Sequence, residues 1–362
     1  MHGENDRLRA QLRGRLFELA LVKLLESSDF TIVDPVNEMD TRVKESRDGF
    51  IEFKGRGCWH QIDLPFDYKR VTPFTYPMRL LGEAKFHKTE ISKKHIREYI
   101  GELKDIQENY FVEDGNDMKN LTKRRIEVGS YFSANGFQAE AEKLAYAHGI
   151  RTISYKNNFA MKMICDAINI LEDRYISVSW IQNGNWKDFK LRLMHFFNLS
   201  ENYFQQMHHE VRFFSEWSGE GYESTLEELK GNLDSIQSSF MGTTETGFLL
   251  HFVGFDRFPD ELFFEGDEGH CRVYYDIDRG TGSRYFWIEF ANNYGCSVPS
   301  KFYFSPPESL DDAAVFGGRR VLQEKREHFR KLYMAVNING VARNLIITMD
   351  NNWLDEVERG IQ

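Results

Sequence analysis

An acidic and a basic side chain stand two residues apart in the segment LLGEAK, which ends at Lys85. On a β-strand, residues two apart share a face, so Glu83 and Lys85 would project together. A second segment, HQIDL, places Asp63 where a neighbouring strand would end. If the two strands are adjacent, the carboxylates of Asp63 and Glu83 meet, and paired hard oxygen donors are the ligands that Mg²⁺ or Mn²⁺ prefers. The spacing therefore predicts a metal site with a lysine beside it.

These groups suit the hydrolysis of a phosphodiester bond. That reaction needs an attacking water with a lowered pKa and neutralisation of the charge that develops on the phosphate. A divalent ion supplies most of both, and Lys85 would orient or deprotonate the water and offset charge at the phosphate. Glu18 is a fourth candidate, because a helix could present it beside the sheet, where it would hydrogen-bond a metal-bound water. We therefore predict a catalytic centre of Glu18, Asp63, Glu83 and Lys85, with Mg²⁺ as the cofactor and Mn²⁺ as the alternative ion.

Periodic apolar residues indicate the elements that must position this centre. Leucines recur at three- and four-residue steps from Asn5 to Glu26, which is typical of an amphipathic helix. Two apolar runs on either side of Gly55-Arg56-Gly57 predict a hairpin, and a proline-marked loop precedes a strand at Met78–Phe86. A helix at Ile91–Ile106 follows. Between Val128 and Leu171 the order strand, helix, strand, helix predicts a parallel crossover that completes an α/β domain.

The rest of the chain has a different pattern. Helical regions at Trp186–Phe214 and Ser224–Phe240 precede aromatic strand-like runs, and Asn339-Gly340 is a strong hairpin signal between two final strands. We therefore predict two domains: an α/β nuclease-like domain at 1–175, and a C-terminal α+β domain at 176–362 with a sensing, regulatory or partner-binding role.

The distribution of charge supports different roles for the two halves. The formal net charge is −10, yet the first 174 residues contain equal numbers of basic and acidic side chains, so the negative excess lies entirely in the remainder. A neutral half is compatible with a nuclease that must also hold acidic metal ligands, whereas an acidic half is unlike an independent DNA clamp. We expect a homo-oligomer or a partner subunit to complete the path of the nucleic acid.

Other features of the composition exclude several classes of protein. No stretch approaches the roughly 18 consecutive apolar residues of a membrane span, and the first residues are polar, so we expect no membrane insertion and no signal peptide. The four cysteines stand far apart without a CxxC pair, which supports neither a zinc site nor a disulfide framework. A cytoplasmic location is the simplest expectation.

The order of these segments resembles the PD-(D/E)XK restriction endonuclease-like superfamily, close to Mrr-type catalytic domains, over residues 1–175. The similar segments are RLFELALVKLL, WHQIDL, GEAK and YFSANGFQAEAEKLAYAHGIRTISY. One departure is Ile62, which stands where the family motif has proline. The resemblance implies a central mixed sheet flanked by helices. It also implies roles for particular residues: Asp63, Glu83 and the carbonyl of Ala84 as metal ligands, Lys85 as the catalytic lysine, Glu18 as the helix glutamate, and Gln138 on a supporting helix.

The same resemblance implies a magnesium-dependent endonuclease that acts on nucleic acid, DNA in the first place, as restriction and anti-phage defence effectors do. His60 and Gln61 stand beside Asp63 and could contact a phosphate or a water, although simple packing explains them equally well. Two alternatives stay open. One is a non-catalytic module that binds nucleic acid or protein on the same scaffold, and the other is an RNA or tRNA nuclease with the same metal chemistry.

Overall fold

The computed structural model describes residues 2–35, 40–47, 49–71, 74–110, 124–175, 186–199, 222–291, 299–308, 327–338 and 341–361. These residues form a mixed α/β structure with a five-stranded sheet, a three-stranded sheet and a closed barrel of seven strands. The coarse α/β prediction is confirmed. Closure of the later strands into a barrel is a feature that their sequence pattern did not indicate.

The five-stranded sheet lies at the centre of the first half. Its strands, in spatial order, are β1 (Phe30–Ile32), β5 (Leu64–Tyr68), β6 (Met78–Lys85), β7 (Ile126–Ser133) and β8 (Arg151–Ser154). The pairs β1–β5 and β5–β6 are antiparallel, and the pairs β6–β7 and β7–β8 are parallel. Helices α2 (Lys93–Gln107) and α3 (Ala139–Ala147) connect the parallel strands. The predicted strand at Met78–Phe86 and the predicted parallel crossover are both confirmed.

The first helix, α1 (His2–Glu26), packs against this sheet and against α4 (Phe159–Tyr175). Its leucine-rich face is buried, as its sequence period predicts. A buried ion pair fixes its position, because Arg13 Nη1 lies 2.7 Å from Glu172 Oε2, and Arg13 Nε donates to the carbonyl of Phe86 at 2.7 Å. These contacts hold α1 at the end of β6.

The predicted hairpin is the second half of a three-stranded antiparallel sheet, formed by β2 (Val43–Glu45), β3 (Ile51–Lys54) and β4 (Trp59–Ile62). Its turn rests on the last turns of α2. Asp105 of that helix approaches so closely that a Cβ atom at Gly55 would lie 1.9 Å from Asp105 Oδ2. Glycine is therefore required where the turn contacts the helix.

Two helices after residue 175 pack on the core of the first half. They are α5 (Trp186–Phe196) and α6 (Tyr222–Ser235), and buried side chains such as Met194 and Leu229 belong to the same apolar cluster as α1. The core therefore extends beyond residue 175, while the two-domain division stays a prediction. Part of the helix predicted at Trp186–Phe214 lies outside the described residues. Among the residues described, no helix has the length and apolarity to cross a membrane.

The barrel follows α6. Its strands are β9 (Ser238–Thr244), β10 (Leu249–Gly254), β11 (Glu268–Ile277), β12 (Arg284–Ala291), β13 (Phe302–Phe304), β14 (Lys331–Ile338) and β15 (Val341–Met349), and α7 (Asn351–Ile361) follows them. A core rich in phenylalanine fills it. The helix predicted to run to Phe240 ends at Ser235, so the prediction was wrong over its last five residues; three of them, from Ser238, belong to β9, which pairs with β10. β14 and β15 pair as predicted up to Ile338 opposite Val341, although residues 339 and 340 lie outside the described residues.

A chain of buried polar groups connects the barrel with the first half. Tyr155 Oη, just after β8, lies 2.6 Å from Nδ1 of His251 on β10, and His251 Nε2 lies 2.7 Å from Ser239 Oγ on β9. Ser239 Oγ in turn donates to the carbonyl of Leu24 in α1 at 2.8 Å. Burial lowers the pKa of His251 to about 3, so this histidine is neutral at physiological pH.

Candidate metal centre

Strand pairing brings Asp63 to Glu83 and Lys85. Asp63 lies between β4 and β5, and β5 pairs with β6 so that Leu64 is opposite Gly82. A Cβ atom at Gly82 would lie 2.8 Å from Leu64 Cβ, so the absence of a side chain permits this close approach. Asp63 Oδ2 consequently accepts hydrogen bonds from the amide of Ala84 at 3.2 Å and from Lys85 Nζ at 3.0 Å.

Glu83 completes the group from the other side of the lysine. Its Oε1 lies 2.5 Å from Lys85 Nζ. Both residues lie on β6, two positions apart, as the alternation of a strand requires. The structure therefore brings together Asp63, Glu83 and Lys85, with the lysine ammonium between the two carboxylates.

Glu18, on α1, lies close to Asp63, Glu83 and Lys85. Its Oε2 accepts a hydrogen bond from Arg15 Nη1 at 2.6 Å, one helical turn earlier. Burial and the charge of Asp63 raise the pKa of Glu18 to about 7, although Arg15 and Lys85 oppose that rise. Glu18 therefore interacts electrostatically with Asp63 and Lys85.

The protonation of the centre follows from burial and charge. Burial would raise the pKa of the Asp63 carboxyl, but the adjacent Lys85 outweighs burial and holds that pKa below its ordinary value. Burial and the charge of Asp63 raise the pKa of Glu83 to about 8. The pKa of Lys85 is raised despite burial, because both carboxylates favour its charged form. At neutral pH Asp63 is therefore ionised and Lys85 charged, while burial and the charge of Asp63 favour the protonated form of Glu83.

The donor set fits Mg²⁺ or Mn²⁺. Carboxylate oxygens of Asp63 and Glu83 are hard ligands, and the amide of Ala84 contacts Asp63, so this peptide unit lies beside the same carboxylate. The position between the two carboxylates already attracts a cation, since the Lys85 ammonium is within 3.0 Å of both. Glu83 is partly buried and has a raised pKa, so a divalent ion that binds its ionised carboxylate would compete with a proton.

The three predicted supporting residues differ in where they lie. Gln61 contacts the centre, because its Nε2 donates to Asp63 Oδ1 at 3.2 Å. His60 instead contacts α2, with its Nε2 2.8 Å from Asp105 Oδ2. Gln138 stands at the N-terminus of α3 with an exposed side chain, and among the described residues no hydrogen bond connects that side chain to the centre. Their functional roles stay predictions.

Two further charged residues near the centre were missed by the sequence analysis. Lys190 of α5 donates to the carbonyl of Gly49 at 3.0 Å and lines a small cavity with Glu18 and Asp63. Glu102 of α2 has a raised pKa, because it is partly buried and close to Asp63. The periodic pattern of α2 could have placed Glu102 on the face towards the sheet, whereas no local signal connects residue 190 with residue 18.

Comparison with known proteins does not show a family for this chain. No protein-family model matches this chain, and no curated protein matches it. A crystal structure of a protein of unknown function is similar at a TM-score of 0.29 with 13% identical residues, over 61% of this chain and 98% of that chain. A TM-score this low carries no argument about fold or activity, so a functional assignment depends on the geometry of the site.

Proposed function

We propose that this protein is a metal-dependent nuclease that hydrolyses phosphodiester bonds of nucleic acid, with DNA as the first candidate substrate. One observation carries the proposal: the carboxylates of Asp63 and Glu83 lie 3.0 and 2.5 Å from Lys85 Nζ, with Glu18 buried beside them. The succession of α1, the antiparallel pair β5–β6 and the parallel strands β7 and β8 supports the restriction endonuclease-like scaffold that the sequence suggests.

A bound Mg²⁺ would lower the pKa of a water and neutralise charge at the phosphate. Asp63, Glu83 and the carbonyl of Ala84 would hold it. Lys85 keeps its proton, because two carboxylates raise its pKa, so it orients a water and offsets charge on the phosphate and does not act as a general base. Glu18, with a pKa of about 7, is the better candidate to accept a proton from water near neutral pH.

The surroundings of the centre support a role for further subunits. The first half is electrically neutral, and nucleic acid binding requires excess positive charge near the phosphates. We infer that a second copy of the chain or a partner subunit supplies part of the nucleic-acid path. A setting in restriction or anti-phage defence would suit an enzyme with a separate acidic half that controls cleavage.

Cleavage of plasmid DNA in the presence of Mg²⁺ or Mn²⁺ tests the proposal. We expect Glu83→Gln and Lys85→Ala each to lower the rate by about a hundredfold or more, since the first removes a ligand of the metal ion and the second removes the positive charge at the reacting phosphate. Glu228→Gln and Lys94→Ala are matched controls on exposed helix faces and should cleave as the wild type does.

Parallel digestion of total RNA separates the alternatives. Cleavage of RNA alone would favour an RNA or tRNA nuclease with the same metal chemistry. Binding of DNA without any metal-dependent cleavage would favour a non-catalytic binding module on this scaffold. Cleavage that survives both substitutions in β6 would show that this centre is not a nuclease site.

A further inference from the structure

We propose that Cys58, His60 and Asp105 bind a divalent transition metal, Zn²⁺ in the first place, at a site separate from the magnesium centre. A thiol sulfur, an imidazole nitrogen and a carboxylate oxygen from these residues all lie within 4.8 Å of one another. The inference does not depend on the proposed nuclease activity.

Two rigid elements hold these donors in place. Cys58 and His60 belong to the β3–β4 hairpin, and Asp105 belongs to α2. The amide of Gly57 lies 3.1 and 3.2 Å from the two carboxylate oxygens of Asp105, and the amide of Arg56 donates to the Asp105 carbonyl at 3.1 Å. The amide of Gly55 donates a hydrogen bond to the carbonyl of Cys58 at 2.7 Å, which closes the hairpin turn. The three side chains are therefore presented from a fixed turn and a fixed helix.

The distances between the donors suit a tetrahedral ion. With metal bonds of about 2.3 Å to sulfur and about 2.0–2.1 Å to nitrogen, a tetrahedral zinc ion separates those two atoms by about 3.5 Å. Cys58 Sγ and His60 Nε2 are 3.4 Å apart. A nitrogen and an oxygen ligand would be about 3.4 Å apart by the same geometry, against the 2.8 Å between His60 Nε2 and Asp105 Oδ2. A small withdrawal of the carboxylate would make room for the ion.

Protein contacts alone do not satisfy this arrangement. The thiol and the carboxylate approach the same ring nitrogen, Nε2 of His60. A single ring nitrogen offers either one proton or one lone pair, so it forms one good hydrogen bond and not two. A metal ion at the centre of the three atoms would bond to all of them.

The chemistry of the donors selects the ion. Thiolate and imidazole ligands favour Zn²⁺ and related ions, whereas Mg²⁺ prefers oxygen donors alone. Three protein ligands leave a fourth position for water. The sequence analysis set the cysteines aside because no CxxC pair is present, but here the third ligand comes from a helix 45 residues beyond His60.

Titration of the full chain with Co²⁺ tests the site, because a cysteine ligand gives a thiolate-to-cobalt charge-transfer band in the near ultraviolet. We expect the band to saturate at one equivalent and to be displaced by Zn²⁺. Cys58→Ser should remove the band, and His60→Gln should weaken binding at least about tenfold. Cys165→Ala and Asp63→Asn should retain it, which distinguishes the site from another cysteine and from the magnesium centre. Absence of the band in the wild type, or its persistence in Cys58→Ser, would overturn the proposal.

A measurement on the wild type alone guards against variants that fail to fold. Cys58 is exposed, so a thiol-alkylating reagent should modify it in metal-free protein. Zn²⁺ should slow that modification at least about tenfold, as judged by peptide mass spectrometry, and a chelator should restore it. Equal alkylation rates with and without Zn²⁺ would likewise refute a metal site at Cys58.

Discussion

The buried histidine that connects the two halves predicts a specific pH dependence of stability. His251 is 2% exposed and contacts Tyr155 and Ser239 through its two ring nitrogens. Burial lowers its pKa from an ordinary value of 6.5 to about 3. The folded state therefore keeps this ring neutral at pH values where the unfolded chain binds a proton, and protons favour unfolding as the pH falls from about 6.5 towards about 3.

The magnitude follows from these two pKa values. At pH 7.5 protonation of His251 changes the free energy of unfolding by almost nothing, because the ring is neutral in both the folded and the unfolded state. At pH 5 the unfolded state gains about 2 kcal/mol from protonation while the folded state gains essentially none. Burial of Glu18 and Glu83 has the opposite sign, because their folded pKa values of about 7 and 8 make the folded state bind more protons as the pH falls. The pH dependence of the wild-type free energy of unfolding contains the contributions of His251, Glu18 and Glu83 together. A variant at His251 is therefore needed to separate its contribution.

Replacement of His251 by glutamine isolates its contribution. Glutamine keeps a hydrogen-bond donor and acceptor but does not titrate. The free energy of unfolding, measured with urea at pH 7.5 and pH 5, should fall by about 2 kcal/mol more in the wild type than in His251→Gln. His148→Gln, at an exposed position after α3, is the control and should follow the wild type. Identical pH dependence in wild type and His251→Gln would refute a neutral, buried histidine at this interface.

Three other predictions concern the candidate centre and the elements that position it. Binding of Mg²⁺ at pH 7 should release about one proton, because Glu83 has a pKa of about 8; calorimetry in buffers of different ionisation enthalpy would show it, and zero release would contradict that pKa. Arg13→Ala leaves Glu172 buried without its partner and should cost about 3–5 kcal/mol of stability in urea unfolding; a loss below 1 kcal/mol would contradict a buried pair. Gly82→Ala forces a Cβ atom against Leu64 and should lower stability by about 1–3 kcal/mol together with the cleavage rate, and an unchanged rate would refute tight positioning by β5.

The placement of Glu83 and Lys85 on one strand face, which the sequence predicts, depends on short-range periodicity. Glu83 and Lys85 share a face because any strand alternates, whereas Glu18 was selected mainly by the resemblance to the restriction endonuclease-like superfamily. Asp63 was expected to end the strand next to β6, but the strand before it, β4, pairs with β3, and the neighbour of β6 is β5, which begins at Leu64 in the segment predicted as a loop. The proline-marked loop between them permits the antiparallel pairing that brings Leu64 opposite Gly82.

The parts that were missed depend on contacts between distant segments. Lys190 reaches Glu18 because α5 packs on the core of the first half, and that packing has no local pattern. Barrel closure has the same origin, since β11 pairs in parallel with β15 some 70 or more residues away, from Glu268 opposite Ile346. Strand alternation predicts which side chains are buried but not which strand is the neighbour.

The contacts between the barrel and α1 give the second half a physical route to the candidate centre. Ser239 of β9 donates to the carbonyl of Leu24, and Ser28 Oγ lies 2.9 Å from Ser239 Oγ just after the same helix ends. Leu24 and Glu18 lie within two turns on α1, and a helix of that length moves as a unit. A ligand or partner that displaced β9 would therefore break hydrogen bonds at the end of the helix that carries Glu18. Lys190 of α5 lines a small cavity with Glu18. Elements after residue 175 therefore pack both at the end of α1 and beside the carboxylate of Glu18.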